Sequence, residues 1–467
     1  MTVPVDIFQG ERTQVVGMAR SGLAAAHALA LGGSDVACWD DFEAGRTQAE
    51  AEGFALLDPT APGTLDGAAA LILAPGVPLT HPEPHPAVPA ARAAGVPILG
   101  DVELLVRQQK AARFVAITGT NGKSTTTALI AHMLKAAGRR VEVGGNLGQA
   151  ALSLAPLDAD GVYVLETSSY QLDLIDQAAF DVGVFLNLTP DHLDRHGSLE
   201  GYLKAKKRIF KNDKPGGAAV VAIDDLHTAG VADELSARGT RRLVRVSAEA
   251  PCPGGVYADG PERLIDDLDG RAEAVVAFVD CPALKGRHNR QNAAAAYAVC
   301  RLMGLGRADA VAGLKSFPGL AHRQELVAQI DGVAFINDSK ATNAEAAAKA
   351  LAAYERIYWI AGGRAKEGGL DAALPYLEHV RHAFLIGEAE EAFASALENK
   401  VSITRSGDLA RAVEQAFTLA GNEGGAGAVI LLSPACASFD QFKDFEARGD
   451  AFRATVKRLA GEREEAS

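Results

Sequence analysis

A buried strand, a glycine-rich turn and a helix follow one another in residues 114–130, FVAITGTNGKSTTTALI. Glycines allow consecutive backbone N–H groups to curl around phosphate oxygens, and the helix N-terminus adds the positive end of its dipole. The pattern predicts that Lys123 reaches the β- and γ-phosphates of a nucleotide and that the Ser124 hydroxyl coordinates Mg²⁺. Ile117 stands where the usual pattern has its first glycine. The placement of Gly122-Lys123-Ser124 between strand and helix still favours phosphate binding over a ligand-free glycine turn.

Short β-branched runs alternate with alanine- and leucine-rich helical stretches along the chain, which predicts repeated βαβ units and mostly parallel sheets. The alternation occurs in three blocks, and 467 residues are enough for about three domains. We expect an α/β protein with a Rossmann-like N-terminal domain, a central P-loop ATPase-like domain with a mostly parallel sheet, and a Rossmann-like C-terminal domain. The predicted boundaries are 1–112, 113–319 and 320–467.

The charge balance excludes two classes of partner. The chain has 46 Lys and Arg against 59 Asp and Glu, a net charge of −13, whereas nucleic acids and anionic membranes require clustered positive charge. The five cysteines are scattered without a CxxC pair, which is typical of reduced thiols in a cytoplasm. The N-terminal sequence has no signal-peptide pattern, and no apolar stretch is long enough to span a bilayer. We therefore expect a cytoplasmic protein that binds neither nucleic acid nor membrane.

A second glycine pattern, VVGMARSGLAAAHAL (15–29), resembles a dinucleotide-binding fingerprint with Gly17 and Gly22 in place. Ala19 occupies the middle glycine position, where the backbone must approach a pyrophosphate closely, and this substitution disfavours NAD. Asp40 follows the next predicted strand, where an acidic residue would hold a ribose hydroxyl. Taken alone, the pattern fits a nucleotide site and a ligand-free turn about equally well.

Two further strands of the central block end in polar residues. Glu166 closes VYVLE, where its carboxylate would hold Mg²⁺ or serve only as a capping or salt-bridged group. The strand VGVFLNL runs into TPDHLDRHG. There we expect His192 to be an outer ligand of a Mg²⁺ site and His196 to cap a turn.

Three other features have ordinary structural interpretations. A helix carries four basic residues within 204–208, and such a run is normally a solvated face. The histidines of the proline-rich segment 81–89 are expected to be exposed to solvent. Phe439, Phe442 and Phe445 recur every three residues and are expected to form one apolar helix face that packs into the core.

Seven motifs, taken in order, resemble the Mur ligases of peptidoglycan synthesis. They are GTNGKST, VLETSSYQL, NLTPDHLDRHG, LKGRHNRQN, HRQE, NDSKATN and LSPACASFDQFKDFEARG, and they cover the central and C-terminal blocks with little gap. The last two are most similar to the branch of the family that adds D-glutamate. The DNPR-type motif expected of the meso-diaminopimelate-adding branch does not occur. The incomplete phosphate-loop spacing at Ile117 is usual for this family.

The resemblance implies an ATP-dependent amide ligase that works through an acyl phosphate. The alanyl carboxylate of UDP-N-acetylmuramoyl-L-alanine would attack the γ-phosphate of ATP, and the amine of D-glutamate would then attack the acyl carbon. The implied cofactors are ATP and two Mg²⁺ ions. The implied protein is a cytoplasmic monomer whose product serves cell-wall biogenesis, cell shape and cell division.

The resemblance also implies roles for individual residues. The catalytic residues would be Lys123, His192 and a Lys206 carbamylated by CO₂. The Mg²⁺ ligands would be Ser124, Glu166, His192 and Lys206. ATP would contact Gly119, Thr120, Asn121, Gly122, Lys123, Ser124, Thr125, Asn289, Asn292, Arg323 and Asp338. The UDP substrate would contact Arg20, Ser21, Asp40, Gly76 and Asn146, and D-glutamate would contact Lys340, Thr342, Lys366, Ser438 and Phe445. Around Lys366, GGRAKEGG departs from the GGDGK-like form of better-known members.

Three alternatives remain open on the sequence. Another Mur-type ligase or a folylpolyglutamate-like synthetase would add a different amino acid, but folate enzymes lack a first block of this kind. An NAD-linked oxidoreductase with an accessory ATPase is disfavoured by Ala19. A non-catalytic ATP-dependent binding module is the third alternative.

Overall fold

The protein was analysed as a computed structural model that describes residues 2–365 and 368–466. The chain divides into two compact units, Met1–Phe317 and Pro318–Ser467. Within the described residues the first unit contains a five-stranded and a nine-stranded sheet, and the second contains a six-stranded sheet.

The N-terminal sheet of the first unit is fully parallel. Its strands are β1 (Arg12–Val16), β2 (Asp35–Trp39), β3 (Ala55–Leu56), β4 (Ala70–Leu73) and β5 (Ile98–Leu99). The helices are α1 (Arg20–Leu31), α2 (Glu43–Ala51), α3 (Ala87–Ala93) and α4 (Asp101–Gln108). The strand order is β3-β2-β1-β4-β5, so β2 and β3 are added on one side of β1, and β4 and β5 on the other. Open α/β sheets bind ligands at the carboxyl ends of the strands at such a point.

The central sheet surrounds the phosphate-loop strand. Its strands are β6 (Arg113–Thr118), β7 (Arg140–Gly145), β8 (Gly161–Glu166), β9 (Val182–Phe185), β10 (Ala218–Ala222), β11 (Arg242–Ser247), β12 (Val256–Asp259), β13 (Arg263–Asp266) and β14 (Glu273–Ala277). The helices are α5 (Lys123–Ala136), α6 (Ser169–Asp173), α7 (Leu193–His196), α8 (Leu199–Lys207), α9 (Leu226–Arg238), α10 (Arg287–Leu302) and α11 (Arg307–Ser316). The order is β14-β13-β12-β11-β10-β9-β6-β8-β7, and only the pairs β12–β13 and β13–β14 are antiparallel among these strands. β6 therefore lies between β8 and β9, and the loops after all three strands meet at one edge.

The second unit is a six-stranded sheet with helices. The strands are β15 (Glu325–Ile330), β16 (Val333–Asn337), β17 (Ile357–Gly362), β18 (Val380–Ile386), β19 (Ser402–Gly407) and β20 (Val429–Leu432). The helices are α12 (Ala344–Leu351), α13 (Glu390–Leu397), α14 (Leu409–Asn422) and α15 (Phe445–Ala466). In the order β15-β16-β20-β17-β18-β19, β15 is antiparallel to β16 and the other neighbours are parallel. The predicted α/β class with parallel-rich sheets is confirmed.

Two local predictions are wrong. Phe439 is 63% exposed and precedes α15, which begins only at Phe445, so the three phenylalanines do not share one helix face. His85 is buried rather than solvent-exposed. Its Nε2 lies 3.0 Å from Asp41 Oδ2, and its Nδ1 accepts the N–H of Ala87 at 3.1 Å. The partner Asp41 follows β2 and is remote in sequence, so local composition does not reveal the contact.

The five cysteines are buried free thiols. They are distributed over both units and comprise Cys38, Cys252, Cys281, Cys300 and Cys436. Burial is the main cause that raises the pKa of each thiol above its ordinary value. The thiols therefore stay protonated near neutral pH.

No helix in the described part of the chain combines the length and the apolar character needed to cross a membrane.

Candidate active site

The phosphate loop, residues 119–122, connects β6 to α5. Gly119 and Gly122 have φ angles of 152° and 81°, which L-residues with a side chain rarely adopt. A Cβ on Gly122 would also overlap Asn292 Oδ1. The N–H of Asn121 donates to Asn187 Oδ1 at 2.8 Å, which fixes the middle of the loop. Glycine is thus required at both ends of a turn that precedes a helix N-terminus, the arrangement expected for binding a phosphate.

Lys123, the first residue of α5, folds back over the loop. Its Nζ donates to the carbonyl oxygens of Gly119 at 3.0 Å and Thr120 at 2.9 Å. The ammonium group therefore lies beside the turn that is expected to hold phosphate. A positive charge in this position favours the binding of a polyanion.

Lys206 contacts the same loop from α8. It is 1% exposed, its Nζ donates to Gly119 O at 2.9 Å, and it lies 4.5 Å from the ring centroid of Tyr202. Burial, with the nearby charge of Lys123, lowers the pKa of Lys206 to about 6. The prediction of a solvated face is wrong for this lysine, whereas Lys204 is exposed as expected. Two lysines of distant helices thus share one carbonyl oxygen of the phosphate loop.

Glu166 ends β8, directly beside the phosphate-loop strand. Its side chain is buried, and Oε1 accepts the Asn146 Nδ2 group at 2.7 Å. Oε2 is also buried and has no hydrogen-bond partner among the described residues. A carboxylate oxygen in this state is costly unless a cation or donor reaches it. The arrangement fits a hard divalent cation such as Mg²⁺, which prefers oxygen ligands.

The turn after β9 carries both histidines singled out in the sequence. His192 adopts a left-handed φ of 52° with a half-exposed ring, 5.1 Å from the ring centroid of Tyr170. His196 is buried and forms a 2.9 Å hydrogen bond with Ser169 Oγ, so it contacts another helix instead of capping its own turn. Burial is the main cause that lowers the pKa of His196 to about 4.

No group of three or more His, Cys, Asp or Glu residues in the described ranges is arranged to hold a metal ion. A Mg²⁺ ion at Glu166 would therefore need other oxygen ligands, such as the Ser124 hydroxyl and phosphate oxygens. Mg²⁺ commonly uses one or two carboxylates together with substrate phosphates. The donor set fits that type of site.

The N-terminal end of α10 lies against the phosphate loop. Asn292 Oδ1 accepts the Thr126 hydroxyl at 3.2 Å, and Asn292 Nδ2 donates to Asn289 Oδ1 at 3.1 Å. Asn187 donates to the Asn121 carbonyl and to Gln291 Oε1, each at 3.2 Å. The sequence did not single out Asn187 or Gln291, because Asn187 stands inside the predicted strand VGVFLNL, whereas β9 ends at Phe185. Of the two asparagines predicted at α10, Asn292 therefore lies at the loop, and the half-buried Asn289 contacts Asn292.

The residues expected at the UDP site follow the strands of the N-terminal sheet. Asp40 accepts the N–H groups of Met18 at 2.6 Å and Phe42 at 2.9 Å, so its carboxylate joins the loops after β1 and β2. Arg20 donates to the Gly148 carbonyl at 2.6 Å, and Ser21 hydrogen-bonds to the buried Asp101 carboxyl. Gly76 and Asn146 follow β4 and β7. The five residues expected at the UDP site therefore lie at the carboxyl ends of strands in both sheets of the first unit.

In the second unit most of the predicted residues follow β16 or β20, and Arg323 precedes β15. Asp338 is buried, accepts Gln324 N–H at 3.1 Å and Ser433 Oγ at 2.8 Å, and has a pKa raised by burial to about 7. Lys340 Nζ lies 5.4 Å from the ring centroid of Phe445. The remaining predicted residues of this unit are the half-buried Thr342, the buried Ser438 and the exposed Arg323. Lys366 lies outside the described residues.

Two family models match the chain. The Mur ligase middle domain matches residues 117–300, which contain the phosphate loop, Glu166, His192 and Lys206. The glutamate ligase domain of Mur ligases matches residues 322–436 of the second unit.

Relatives of similar length match the chain from end to end. The UDP-N-acetylmuramoylalanine–D-glutamate ligase of Phenylobacterium zucineum is 50% identical over 465 residues, 98% of this chain and 98% of that protein. The ligase of the same name from Paramagnetospirillum magneticum is 50% identical over 97% of this chain and 98% of that protein. Among solved structures, the UDP-N-acetylmuramate–alanine ligase of Thermotoga maritima shares the fold, with a TM-score of 0.56, 17% identity and coverage of 97% and 100%. The chain therefore belongs to the Mur ligase family, among its UDP-N-acetylmuramoylalanine–D-glutamate ligases.

Proposed function

We propose that this chain forms the amide bond between D-glutamate and the alanyl carboxyl of UDP-N-acetylmuramoyl-L-alanine, with cleavage of ATP to ADP and phosphate. One structural observation supports this reaction most directly: Lys123 and Lys206 both donate to the Gly119 carbonyl of a phosphate loop. The identity of the amino acid rests on the relatives of about 50% identity that are named for D-glutamate.

The reaction needs activation because a carboxylate is a poor electrophile. In the first step, the alanyl carboxylate oxygen attacks the γ-phosphorus of ATP, and ADP leaves. In the second step, the amine nitrogen of D-glutamate attacks the acyl carbon, phosphate leaves, and the nitrogen loses a proton. We assign to Lys123 the stabilisation of the transferring phosphoryl group, since its ammonium lies over the loop.

ATP and the UDP substrate are both anions and repel each other. The proposal therefore includes divalent cations, which offset this repulsion. We assign Ser124, Glu166, His192 and carbamylated Lys206 as the residues that hold two Mg²⁺ ions. When bound, Mg²⁺ would neutralise phosphate charge and polarise the phosphoryl group. The buried, unpaired Oε2 of Glu166 supports this assignment.

Carbamylation of Lys206 is a separate step of the proposal. The neutral amine nitrogen would attack the carbon of CO₂ and lose one proton, so that a neutral amine becomes an anionic carbamate. The buried position of Lys206 against Gly119 supports this, because a permanently charged ammonium is costly there. The carbamate would supply the anionic oxygen ligand that the described acidic residues alone do not provide.

Substrate contacts are assigned by the matching motifs. For ATP we propose the loop residues 119–125 with Asn289 and Asn292, and from the second unit Arg323 and Asp338. For the UDP moiety we propose Arg20, Ser21, Asp40, Gly76 and Asn146. For D-glutamate we propose Lys340, Thr342, Lys366, Ser438 and Phe445.

Amino-acid specificity tests the function directly. The protein is incubated with ATP, Mg²⁺ and UDP-N-acetylmuramoyl-L-alanine, and separate reactions receive D-glutamate or another D- or L-amino acid. We expect phosphate release and the product mass only with D-glutamate, stimulation by bicarbonate, and no turnover by Lys123→Ala. Release with another amino acid and none with D-glutamate would overturn the assignment.

We further propose that the enzyme is a cytoplasmic monomer that serves peptidoglycan synthesis and, through it, cell shape and division. The five buried free thiols support a reducing compartment. Light scattering should give the mass of one chain, and twice that mass would contradict the monomer.

A further inference from the structure

Arg195 joins the turn that carries His192 to a turn of the N-terminal sheet. Its Nη1 lies 3.3 Å from the Gly76 carbonyl oxygen, and its Nη2 lies 3.2 Å from that of Pro75 and 3.4 Å from that of Val77. One guanidinium group therefore donates to three consecutive carbonyl oxygens, those of the turn 75–77 that follows β4.

The surroundings of Arg195 hold the guanidinium in place. Its Cζ lies 4.6 Å from the ring centroid of Tyr170, in a cation–π contact. The backbone N–H of Arg195 donates to the His192 carbonyl at 3.1 Å, so the same residue closes the turn that positions His192. A planar fork with five donors can serve three acceptors while it stacks on a ring, which a lysine ammonium cannot do.

The carbonyl contacts fix the orientation of the peptide groups in this turn. The Gly76 N–H and the Pro75 C=O belong to one peptide group, and in a trans peptide these two bonds point in opposite directions. Because the Pro75 C=O faces Arg195, the Gly76 N–H points away from Arg195. The Val77 N–H is already used, since it donates to the Ala74 carbonyl at 2.9 Å. The turn lies against the first glycine loop, because a Cβ on Gly17 would come within 2.8 Å of Val77 Cγ2 and 2.9 Å of Ala74 Cβ.

We propose that Arg195 is a positioning residue for the nucleotide substrate, which orients the turn 75–77 so that the Gly76 N–H faces a phosphate group of the UDP moiety. The inference rests on the proposed function, which assigns Gly76 to the UDP site. Arg195 also belongs to the turn that carries His192. Its side chain therefore sets the position of the turn 75–77 relative to the proposed reaction centre. Neither a substrate contact nor a metal contact is assigned to Arg195 itself.

The variants Arg195→Lys and Arg195→Ala test the proposal. We expect the KM for UDP-N-acetylmuramoyl-L-alanine to rise about tenfold or more in both, as expected for the loss of charge-assisted hydrogen bonds. The KM values for ATP and D-glutamate should change less than about twofold, because the phosphate loop and the second unit keep their contacts. Calorimetric titration with UDP alone should show a matching loss of affinity.

Arg241→Lys is the matched control. Arg241 also stacks on an aromatic ring, with Cζ 5.5 Å from the Phe210 centroid, and it donates to the carbonyls of Phe210 at 3.3 Å and Asn212 at 3.0 Å. These partners all belong to the central part of the chain, so this variant should leave the nucleotide KM unchanged.

Three outcomes would overturn the proposal: an unchanged nucleotide KM, a parallel rise in all three KM values, or an equal rise in Arg241→Lys. If the unaltered protein shows no D-glutamate-dependent phosphate release, the proposed function fails. The UDP titration then still decides the role of Arg195, since it requires no turnover.

Discussion

The side-chain amine of Lys206 donates to the carbonyl oxygen of Gly119 across 2.9 Å. The contact ties α8 to the first residue of the phosphate loop, 87 positions earlier in the sequence. Because Lys123 Nζ donates to the same oxygen, a change at Lys206 alters the environment of both amines. In particular, conversion of Lys206 to a carbamate would place a negative charge beside the Lys123 ammonium, so that the two side chains attract each other.

Removal of Lys206 is expected to abolish most of the activity. In Lys206→Ala we expect kcat to fall about 100-fold or more, since a charged ligand next to the phosphate loop is lost. Short carboxylates such as acetate or propionate should restore part of the activity by entering the vacated space. Turnover is measured by phosphate release with increasing carboxylate concentration.

Lys204→Ala provides the control, because Lys204 is exposed on the same helix. It should retain normal turnover and gain nothing from added carboxylate. Carbon-13 NMR after labelling with bicarbonate should show a carbamate signal that Lys206→Ala lacks. Full activity of Lys206→Ala would refute the assigned role.

Substitution of Gly122 by alanine should damage ATP binding specifically. The new Cβ would overlap Asn292 Oδ1 and displace either the loop or α10. Displacements on this scale at a reacting centre cost about 100-fold in rate, and we expect a fall of that size in kcat/KM for ATP.

Gly138→Ala separates the steric effect from backbone strain. Gly138 also has a positive φ, 77°, and follows the C-terminal end of α5, but a Cβ there meets nothing within 4 Å. It should lose about 1–2 kcal/mol of stability from the left-handed backbone and keep its kcat/KM for ATP. Equal kinetic losses in the two variants would show that the contact with Asn292 is irrelevant.

Glu166→Gln should weaken the dependence on Mg²⁺ without unfolding the sheet edge. Glutamine retains an oxygen that can accept the Asn146 amide, and it removes only the negative charge. We expect activity about 100-fold lower and a higher Mg²⁺ concentration at half-maximal rate. Glu142→Gln on the neighbouring β7 is the control, and its Mg²⁺ titration should match that of the unaltered protein.

Asp338 should make the stability of the second unit depend on pH. Burial raises its folded-state pKa to about 7, compared with about 3.9 in an unfolded chain. The folded state therefore keeps a proton that the unfolded state has released, and stability falls as pH rises from about 4 to 7. Asp338→Asn should flatten the thermal-midpoint profile over this range, between about pH 4 and pH 7.

Glu398→Gln, which changes an exposed carboxylate of the same unit, serves as the comparison for this profile. It should keep the slope of the unaltered protein. A slope that Asp338→Asn leaves unchanged would contradict the assignment to Asp338.

The parts of the molecule that follow from local pattern were predictable. The strand, glycine turn and helix around Lys123 have fixed spacing, and the alternation of strands and helices determines the parallel-rich sheets. The approximate positions of Glu166 and His192 follow from the rule that strands of a parallel sheet end at the same edge.

Lys206 was predictable in part from helix periodicity. Tyr202, Ala205, Lys206 and Ile209 are buried and occupy positions i, i+3, i+4 and i+7, the spacing of a core-facing stripe. A lysine on such a stripe is a candidate for a special role, but the cluster of basic residues around it favoured the solvated interpretation. His85, Asn187 and Arg195 were not predictable in this way, because their partners are remote in sequence and only the folded chain identifies them.

The distribution of cysteines makes the two units separately observable during unfolding. An alkylating reagent reacts with thiolates, and these thiols are both covered and held in the protonated form. Modification of Cys436 in a peptide map therefore reports the opening of the second unit, and modification of Cys38 or Cys300 reports that of the first. A time course of labelling would give each unit its own opening rate without any introduced probe.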